Sequence, residues 1–468
     1  MRIRVLGQHV HVSIAVLSAV EAVVFFVAVY GAALACFHVD LSALSQLHAL
    51  AGAVWPRAAL FTAVMFASLF AFGLYSSRQR ARLIGMILRV ALALITGLAI
   101  TGILFYMVPA LWIGSDVILV AGIGGLCGVT ISRVIFTRVV DENVFKRRVV
   151  VYGAGESAAA IDGLRRRADR RGFVVLGFIP SHPDERAVKF DRILESKSSL
   201  VQICQRLGAA ELVVAMDDRR KGFPIAQLLE CRLSGIDVTE LVTFLERETG
   251  RVRIDVLNPS WMIFGQGFRR DPLRLITSRT LDLVASLTVL AITLPVMLLA
   301  VLAIKVEDGW SAPVLYRQRR VGFRGKPFDV LKFRSMRTDA ESDGRARWAR
   351  FGDPRVTRIG AFMRKVRIDE LPQLLNVLRG QMSLVGPRPE RPEFVADLAE
   401  RIPYYLERHC VKPGVTGWAQ LCYPYGASEQ DALEKLQYDL FYVKNNSLLF
   451  DLAILLQTVE VVLLGKGC

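Results

Sequence analysis

Arg364-Lys365-Val366-Arg367-Ile368-Asp369-Glu370-Leu371-Pro372-Gln373-Leu374-Leu375-Asn376 sets two adjacent carboxylates directly after three cations. From Leu371 the apolar residues fall at Leu371, Leu374, Leu375 and Leu378, the i, i+3, i+4, i+7 spacing of one buried helical face. Pro372 suits a first helical turn, where its missing amide has no intrahelical partner to lose. Asp369 and Glu370 are therefore expected at a helix N-terminus, where free N–H groups and the helix dipole favour negative charge. Neighbouring cations favour the charged carboxylates further and suit the same place to phosphate. The pair also reads as an ordinary acidic N-cap.

The surrounding chain has 468 residues, enough for two or three domains. It is 53% hydrophobic with a mean hydropathy of +0.38, too apolar for an ordinary soluble protein of this size. A formal net charge of +16 points to anionic partners: nucleic acid, anionic lipid or phosphorylated substrates. The seven cysteines are scattered without a C-x-x-C pair, and none of the six histidines lies at metal-ligand spacing with a cysteine. Both facts argue against a disulfide framework or a zinc site.

Four apolar stretches, at 12–37, 53–74, 84–108 and 111–136, each approach the ~20 residues that cross a bilayer. They predict a four-helix transmembrane bundle over residues 1–140, without a removable signal peptide. Arg2 and Arg4 precede the first stretch, and Arg78, Arg80 and Arg82 separate the second from the third. Arg133, Arg138, Lys146, Arg147 and Arg148 lie at or beyond the end of the fourth, while 38–52 and 109–110 hold no Lys or Arg. The positive-inside rule then puts the N-terminus and everything after residue 137 in the cytoplasm. Glu21, inside the first stretch, is either a functional acid or one paired between helices.

Residues 146–250 alternate strand-like and helix-like segments, as in a small Rossmann-like α/β domain. Gly153-Ala154-Gly155-Glu156-Ser157-Ala158 fits the G-x-G-x-x-A dinucleotide turn, but the acid expected after the second strand is replaced by Pro180-Ser181-His182-Pro183. A Y-x-x-x-K pair is also missing. Structural or regulatory ligand binding, or plain packing, fits this segment better than catalytic NAD use. Farther on, 281–304 is long enough to span again, with Pro295 near its middle. Basic residues flank both of its ends, Arg274 and Arg279 before and Lys305, Arg317, Arg319 and Arg320 after. A re-entrant hairpin broken at Pro295 keeps both ends cytoplasmic, and a proline-kinked fifth span is the alternative.

Beyond that segment come Tyr316-Arg317-Gln318-Arg319-Arg320-Val321-Gly322, Lys332-Phe333-Arg334-Ser335-Met336, the Asp369-Glu370 run, Ser383-Leu384-Val385-Gly386-Pro387-Arg388-Pro389-Glu390, and Lys412-Pro413-Gly414-Val415-Thr416-Gly417-Trp418-Ala419-Gln420. In this order they resemble the bacterial sugar transferases that load a phosphosugar onto a polyprenyl phosphate, the monotopic phosphoglycosyl transferases. The four spans and the α/β middle look like the long members of that family. The Cys422–Ser428 extension looks like its exopolysaccharide- and exosortase-associated subgroup.

The resemblance implies an α/β catalytic domain over 275–468 with a re-entrant helix at 281–304 and its break at Pro295. It implies that Asp369 attacks the β-phosphate of a UDP-sugar, releases UMP and carries the phosphosugar to undecaprenyl phosphate. Asp369 and Glu370 would hold Mg²⁺, and Arg320, Lys332, Arg334, Arg364 and Arg388 would bind substrate. Carboxylates are suitable covalent phosphoryl acceptors, and arginine can grip a phosphate with two bonds. For each cation a lipid-facing or solvated role stays open. Two departures stand out: Leu294, where the family often has serine, precedes Pro295, and Arg367 adds a third cation before the acids. Trp418 is expected in the core, and 448–464, which carries Asp451, Gln457 and Glu460, as a docked or interfacial helix.

The implied setting is the bacterial inner membrane, with the lipid bilayer, a UDP-sugar and undecaprenyl phosphate as partners and downstream glycosyltransferases using the product. Dimerisation through the spans or the middle segment is compatible with the sequence. Nucleic acid is disfavoured, because the positive charge lacks an aromatic-basic array. Two other functions remain open: a membrane-anchored nucleotide-sugar dehydratase or epimerase, and a non-catalytic nucleotide-sensing regulator.

Overall fold

A computed structural model describes the chain except residues 1, 6–7, 38–52, 73, 76–82, 109–110, 140–145, 165–168, 171, 195–197, 221, 258–271, 339, 341–352, 424–425, 427 and 464–468. Arg78, Arg80, Arg82 and the connections 38–52 and 109–110 therefore lie outside the described residues. The chain divides into two compact units, Met1–Leu241 and Val242–Cys468.

The first unit opens with a short antiparallel hairpin, β1 (Arg2–Val5) and β2 (Gln8–His11). Four helices follow: α1 (Val12–Phe37), α2 (Val54–Ala71), α3 (Leu83–Met107) and α4 (Ser115–Val139). α1 packs on α2 and α4, and α3 packs on the same two, which closes a four-helix bundle. Phe25, Phe61, Met65, Leu69, Phe105 and Val129 fill its core. Its outer face is apolar as well, with Val23, Ile95, Ile103, Leu119 and Ile131 exposed. A bundle in water would carry polar residues there. By length and composition α1, α3 and α4 suffice to cross a membrane, while α2, at 18 residues, is shorter than the expected 53–74. Glu21 is fully buried, with Arg133 Nε at 2.7 Å and Nη2 at 2.9 Å, and it accepts from Tyr75 Oη at 2.5 Å. Arg133 also donates to the Leu74 carbonyl. Of the two readings of Glu21, the structure supports the paired one.

The rest of this unit runs β3 (Arg147–Tyr152), α5 (Glu156–Asp162), β4 (Phe173–Ile179), α6 (Leu200–Arg206), β5 (Glu211–Val214), α7 (Ile225–Leu233) and β6 (Asp237–Glu240). The four strands form a wholly parallel sheet in the order β4-β3-β5-β6. The glycine turn between β3 and α5 is filled by carboxylates of the chain itself. Asp217 accepts from the Glu156 and Ser157 amides at 2.9 and 2.7 Å, and Glu185 accepts from the Ala154 amide at 2.8 Å. A Cβ on Gly155 would lie 1.9 Å from Asp217 Oδ2, so only glycine permits this approach. A dinucleotide phosphate would need those same amides, which counts against the dehydratase reading.

In the second unit, α8 (Leu241–Thr249) begins at the boundary, and its Glu246 accepts from Lys444 Nζ and Asn445 Nδ2. Trp418, buried as expected, donates to the Gly250 carbonyl at 2.7 Å. These bonds place residues 242–250 with the second unit, where the sequence grouped them with the α/β segment.

α9 (Pro272–Asp308) runs as one helical element through Pro295, the residue at which the sequence places the turn of a hairpin. Its buried side is a single stripe of Asp282, Ser286, Ala300 and Ile304, and Val284, Leu287, Ile292, Leu298 and Leu299 are exposed. Both ends bond within this unit. Arg279 donates to the Val377 and Leu378 carbonyls, and Asp282 accepts from Ser383 Oγ and the Leu384 amide. At the far end Lys305 donates to the Ala312 carbonyl and Asp308 pairs with Arg334 at 2.6 Å.

β7 (Leu315–Val321) and β8 (Pro327–Phe333) form an antiparallel hairpin, followed by α10 (Arg358–Lys365) and α11 (Gln373–Leu378). β9 (Ser383–Val385) pairs in parallel with β10 (Gly414–Thr416), with α12 (Pro392–Arg401) between them. α13 (Trp418–Cys422), α14 (Glu429–Asn445) and α15 (Leu448–Leu463) complete the unit. α15 docks on β9, β10 and α13, and its Asp451 accepts from Tyr442 Oη at 2.8 Å.

The buried face of α11 differs from the leucine stripe. Gln373, Leu374, Asn376 and Val377 are buried, whereas Leu371, Leu375 and Leu378 are only partly so. The cause is Asn376, which is fully buried and serves the main chain of β8 as a neighbouring strand would. It accepts from the Leu331 amide at 3.0 Å and donates to the Asp329 carbonyl at 2.7 Å. Asn376→Ala leaves both main-chain groups buried without partners and is expected to cost about 2–6 kcal/mol, at about 1–3 for each. Thermal unfolding in detergent checks this, and an unchanged melting temperature would sink it.

Candidate active site

The acidic pair lies in a 3₁₀ turn, Ile368–Glu370, immediately before α11. Arg367 enters this turn in the left-handed region at φ 61°, which redirects the chain between α10 and the acids. Asp369 is 7% exposed, and its Oδ1 is buried without a hydrogen-bond partner among the described residues. It caps no helix, so the N-cap reading does not hold.

Glu370 sits among cations from three places. Arg388 Nη2 is 2.9 Å from its Oε1, Lys332 Nζ 3.5 Å and Arg367 Nη1 3.7 Å. Lys332 projects from β8. Its cross-strand partner on β7 is Tyr316, and Arg320 shares that face four residues on. Arg320 bonds Gln318 at 2.6 Å and pairs with Glu390 at 3.3 Å, at the rim of the cluster. Arg364, in the last turn of α10, donates to Ser335 Oγ at 2.9 Å. α10 can lie this close because residue 360 is glycine: a Cβ there would meet the Ser335 carbonyl at 2.1 Å.

Arg388 stands on the Gly386–Pro389 segment, which is non-helical as its two prolines require. Main-chain bonds fix it: Gly386 N to Thr416 O and Gly414 N to Pro387 O, each 2.9 Å. Tyr442 Oη adds a bond to the Val385 carbonyl. Arg334 goes elsewhere. It is 6% exposed and pairs with Asp308, and no contact brings it to the acids.

The two carboxyls are driven in opposite directions. Burial and the Glu370 charge push Asp369 above its ordinary value, against Lys332, Arg364 and Arg367. For Glu370 burial also acts upward, but Arg388, Lys332 and Arg367 outweigh it and hold the carboxyl far below the usual range. Burial in turn lowers Lys332, with Glu370 opposing. Adjacent acids separated in this way can take different chemical roles.

Asp282, Asn376, Arg408 and Asp439 escaped the sequence reading. Asp282 had a legible signal, as an acid at the start of an apolar run. Asn376 and Asp439 are polar residues set in apolar runs, Leu374–Leu378 and Tyr438–Tyr442, and Arg408 lies among other charged residues; spacing alone names no partner for any of the three.

A buried acid pair ringed by cations, in a unit that also carries a long helix with an apolar exterior, defines a membrane-bound protein built to handle anions. The chain belongs to the bacterial sugar transferase family, whose profile matches residues 273–465. It is 32% identical over 323 residues to a UDP-glucose:undecaprenyl-phosphate glucose-1-phosphate transferase of Klebsiella pneumoniae, covering 67% of each chain. It is 40% identical over 240 residues to a UDP-N-acetylgalactosamine-undecaprenyl-phosphate N-acetylgalactosaminephosphotransferase of Aeromonas hydrophila, covering 51% of this chain and 55% of that one. An undecaprenyl-phosphate glucose phosphotransferase of Komagataeibacter xylinus is 44% identical over 191 residues, 40% of this chain and 36% of its own. The chain thus spans about half of the Aeromonas relative and about a third of the Komagataeibacter one.

Arg388→Ala removes the nearest cation from Glu370. It is expected to lower stability by about 1–2 kcal/mol near neutral pH, a modest figure because Arg388 is a third exposed. A carboxyl held low in the fold stabilises it fully above the unfolded value of 4.5 and progressively less as pH falls toward the folded one. The melting-temperature gap between wild type and variant should therefore be constant above pH 4.5 and shrink below it. A gap that widens in acid would contradict this.

Proposed function

We propose that the chain transfers a sugar-1-phosphate from a UDP-sugar to undecaprenyl phosphate, the type of reaction that the names of its relatives state for them. The observation that carries the reading is Asp369: buried, in the field of Lys332, Arg364 and Arg367, with Oδ1 unpartnered. An Asp369 oxygen attacks the β-phosphorus of the donor. The bond from that phosphorus to the bridging oxygen breaks, and UMP leaves with the electron pair. The sugar-1-phosphate stays on Asp369 as an acyl phosphate. A phosphate oxygen of undecaprenyl phosphate then attacks the same phosphorus, forms the polyprenyl diphosphate sugar and frees Asp369.

Arg388, Lys332 and Arg364 neutralise the diphosphate, with Arg320 at the rim, while Arg334 supports the end of α9. Asp369 and Glu370 suit Mg²⁺, which takes one or two carboxylates and completes its shell with phosphate oxygens and water. Among the described residues there is no cluster of three or more Asp, Glu, His or Cys that would make an all-protein site. When bound, the ion clamps the diphosphate and offsets charge on the leaving group.

α9 is proposed to enter and leave the bilayer on one side. Support comes from its two ends, both bonded within one globular unit. A straight run from Arg279 to Asp308 would cover about 43 Å at 1.5 Å per residue, more than the ~30 Å hydrocarbon core. The N-terminus and the catalytic unit then face the cytoplasm, at the bacterial inner membrane. The parallel-sheet segment is proposed as a Rossmann-like domain with a packing or regulatory role. The product starts an exopolysaccharide or related glycan, which downstream glycosyltransferases extend.

UMP release in nanodiscs with Mg²⁺ and undecaprenyl phosphate tests the reaction across UDP-glucose, UDP-N-acetylgalactosamine and related donors. One donor should give release, Asp369→Asn should abolish it, and wild type without acceptor should gain the mass of one sugar phosphate. Well-folded wild type that releases UMP from no donor would defeat the reading. For topology, cysteine placed at exposed Val306 should resist an impermeant maleimide applied outside intact cells. Labelling there from outside would defeat the one-sided entry.

A further inference from the structure

Arg408 is a charged residue that the proposed reaction does not use. It lies in the 3₁₀ segment Tyr405–Cys410 and is 6% exposed. Its partner is Asp439, from the middle of α14, 2% exposed, with Oδ2 2.7 Å from Arg408 Nη2. Arg408 Nη1 donates to Tyr405 Oη at 2.8 Å, and Nη2 donates to the main-chain carbonyl of Arg388 at 3.0 Å. That last bond joins the buried pair to the residue whose guanidinium rests on Glu370.

Burying an ion pair is a poor way to gain stability, because desolvation offsets most of the attraction and apolar replacements often do as well. What such a pair does supply is direction. A planar guanidinium reaches three acceptors at fixed angles, and an ammonium cannot reproduce that fork. The main-chain bonds of Gly386 and Pro387 stop short of Arg388, whose neighbours Pro387 and Pro389 have no amide to donate, so the Arg388 carbonyl is the next point at which the segment is held.

We propose that Arg408 and Asp439 form a buried latch that positions Arg388 by gripping its carbonyl, so that its guanidinium stays on the acid pair. Both are positioning residues, and the link to catalysis rests on the transferase reading above. Arg408 acts through Arg388, which makes its effect conditional on the Arg388 side chain.

The test uses the full-length protein in nanodiscs, with Arg408→Lys and Asp439→Asn. Hydrogen exchange is followed at the Gly386 and Gly414 amides, which bond across this segment. The latch predicts faster exchange there in both variants, with α1–α4 unchanged. UMP release is then measured in a cycle with Arg388→Ala. Arg408→Lys should lower kcat by about ten- to a hundred-fold in wild type, the scale of an ångström misplacement, with less effect on KM. In the Arg388→Ala background it should lower kcat no further. An equal loss in both backgrounds would make Arg408 merely structural and overturn the proposal, as would unchanged exchange at Gly386 and Gly414. If Arg408→Lys does not fold, the near-isosteric Asp439→Asn carries both readouts. Should wild type release no UMP, the transferase reading fails, and the exchange measurement alone then decides the latch.

Discussion

The charge balance around Glu370 is the constraint on which the second unit turns. Two neighbouring carboxyls out of water would ordinarily both take up protons. Here one stays ionised because cations converge on it from a strand, a left-handed turn and a proline-bounded loop. None of those three is near the acids in sequence except Arg367. The centre therefore comes into being only with the tertiary fold, and each supporting contact bears on the electrostatics of one carboxylate. Asp369 takes the opposite share: it keeps its burial and its neighbour's charge, and has no hydrogen bond of its own at Oδ1.

The scaffolding shows how precision of placement is obtained without large sheets. β7 and β8 make only a two-stranded ribbon, whose exposed edge is completed by a carboxamide rather than by a third strand. β9 and β10 are three residues each, yet they fix the Arg388 loop because side chains from α9 and α14 bond to β9 and its flanks. Buried polar groups replace hydrogen-bonded strands here. Such groups specify one geometry well when every partner is satisfied, and they tolerate substitution poorly.

Much of this was legible in the sequence, for physical reasons that differ by region. Apolar stretches of bilayer length announce themselves, and the helices of the bundle fall within a few residues of expectation, except that α2 stops at Ala71. The parallel strands were readable from their valine-rich runs. The acid pair and its cations were carried by compact motifs, and Lys332, Arg388 and Glu370 do meet. Lys332 and Arg334 pair with different acids, Glu370 and Asp308, because β8 ends at Phe333 and adjacency in a motif does not fix a shared direction past a strand end. The occupied glycine turn was invisible, since Asp217 and Glu185 lie about sixty and thirty residues from the amides they bind. Pro295 lies inside one helical element, since a proline in an apolar run marks where a helix can bend and not where it ends.

The Glu21–Arg133 pair has a consequence for how the protein is made. The two residues are 112 positions apart, on the first and fourth helices. At roughly 5–20 residues per second, a ribosome needs about 6–22 seconds after Glu21 to produce its partner. Throughout that interval the nascent first helix carries an acid with no counter-charge in a place where charge is costly. The helix must wait at the insertion machinery, shelter the acid at the lipid–water boundary, or hold a proton until Arg133 arrives. Whichever it does, the Glu21–Arg133 pair can close only once the fourth helix has been made, so the last helix and not the first sets when the bundle acquires this bond.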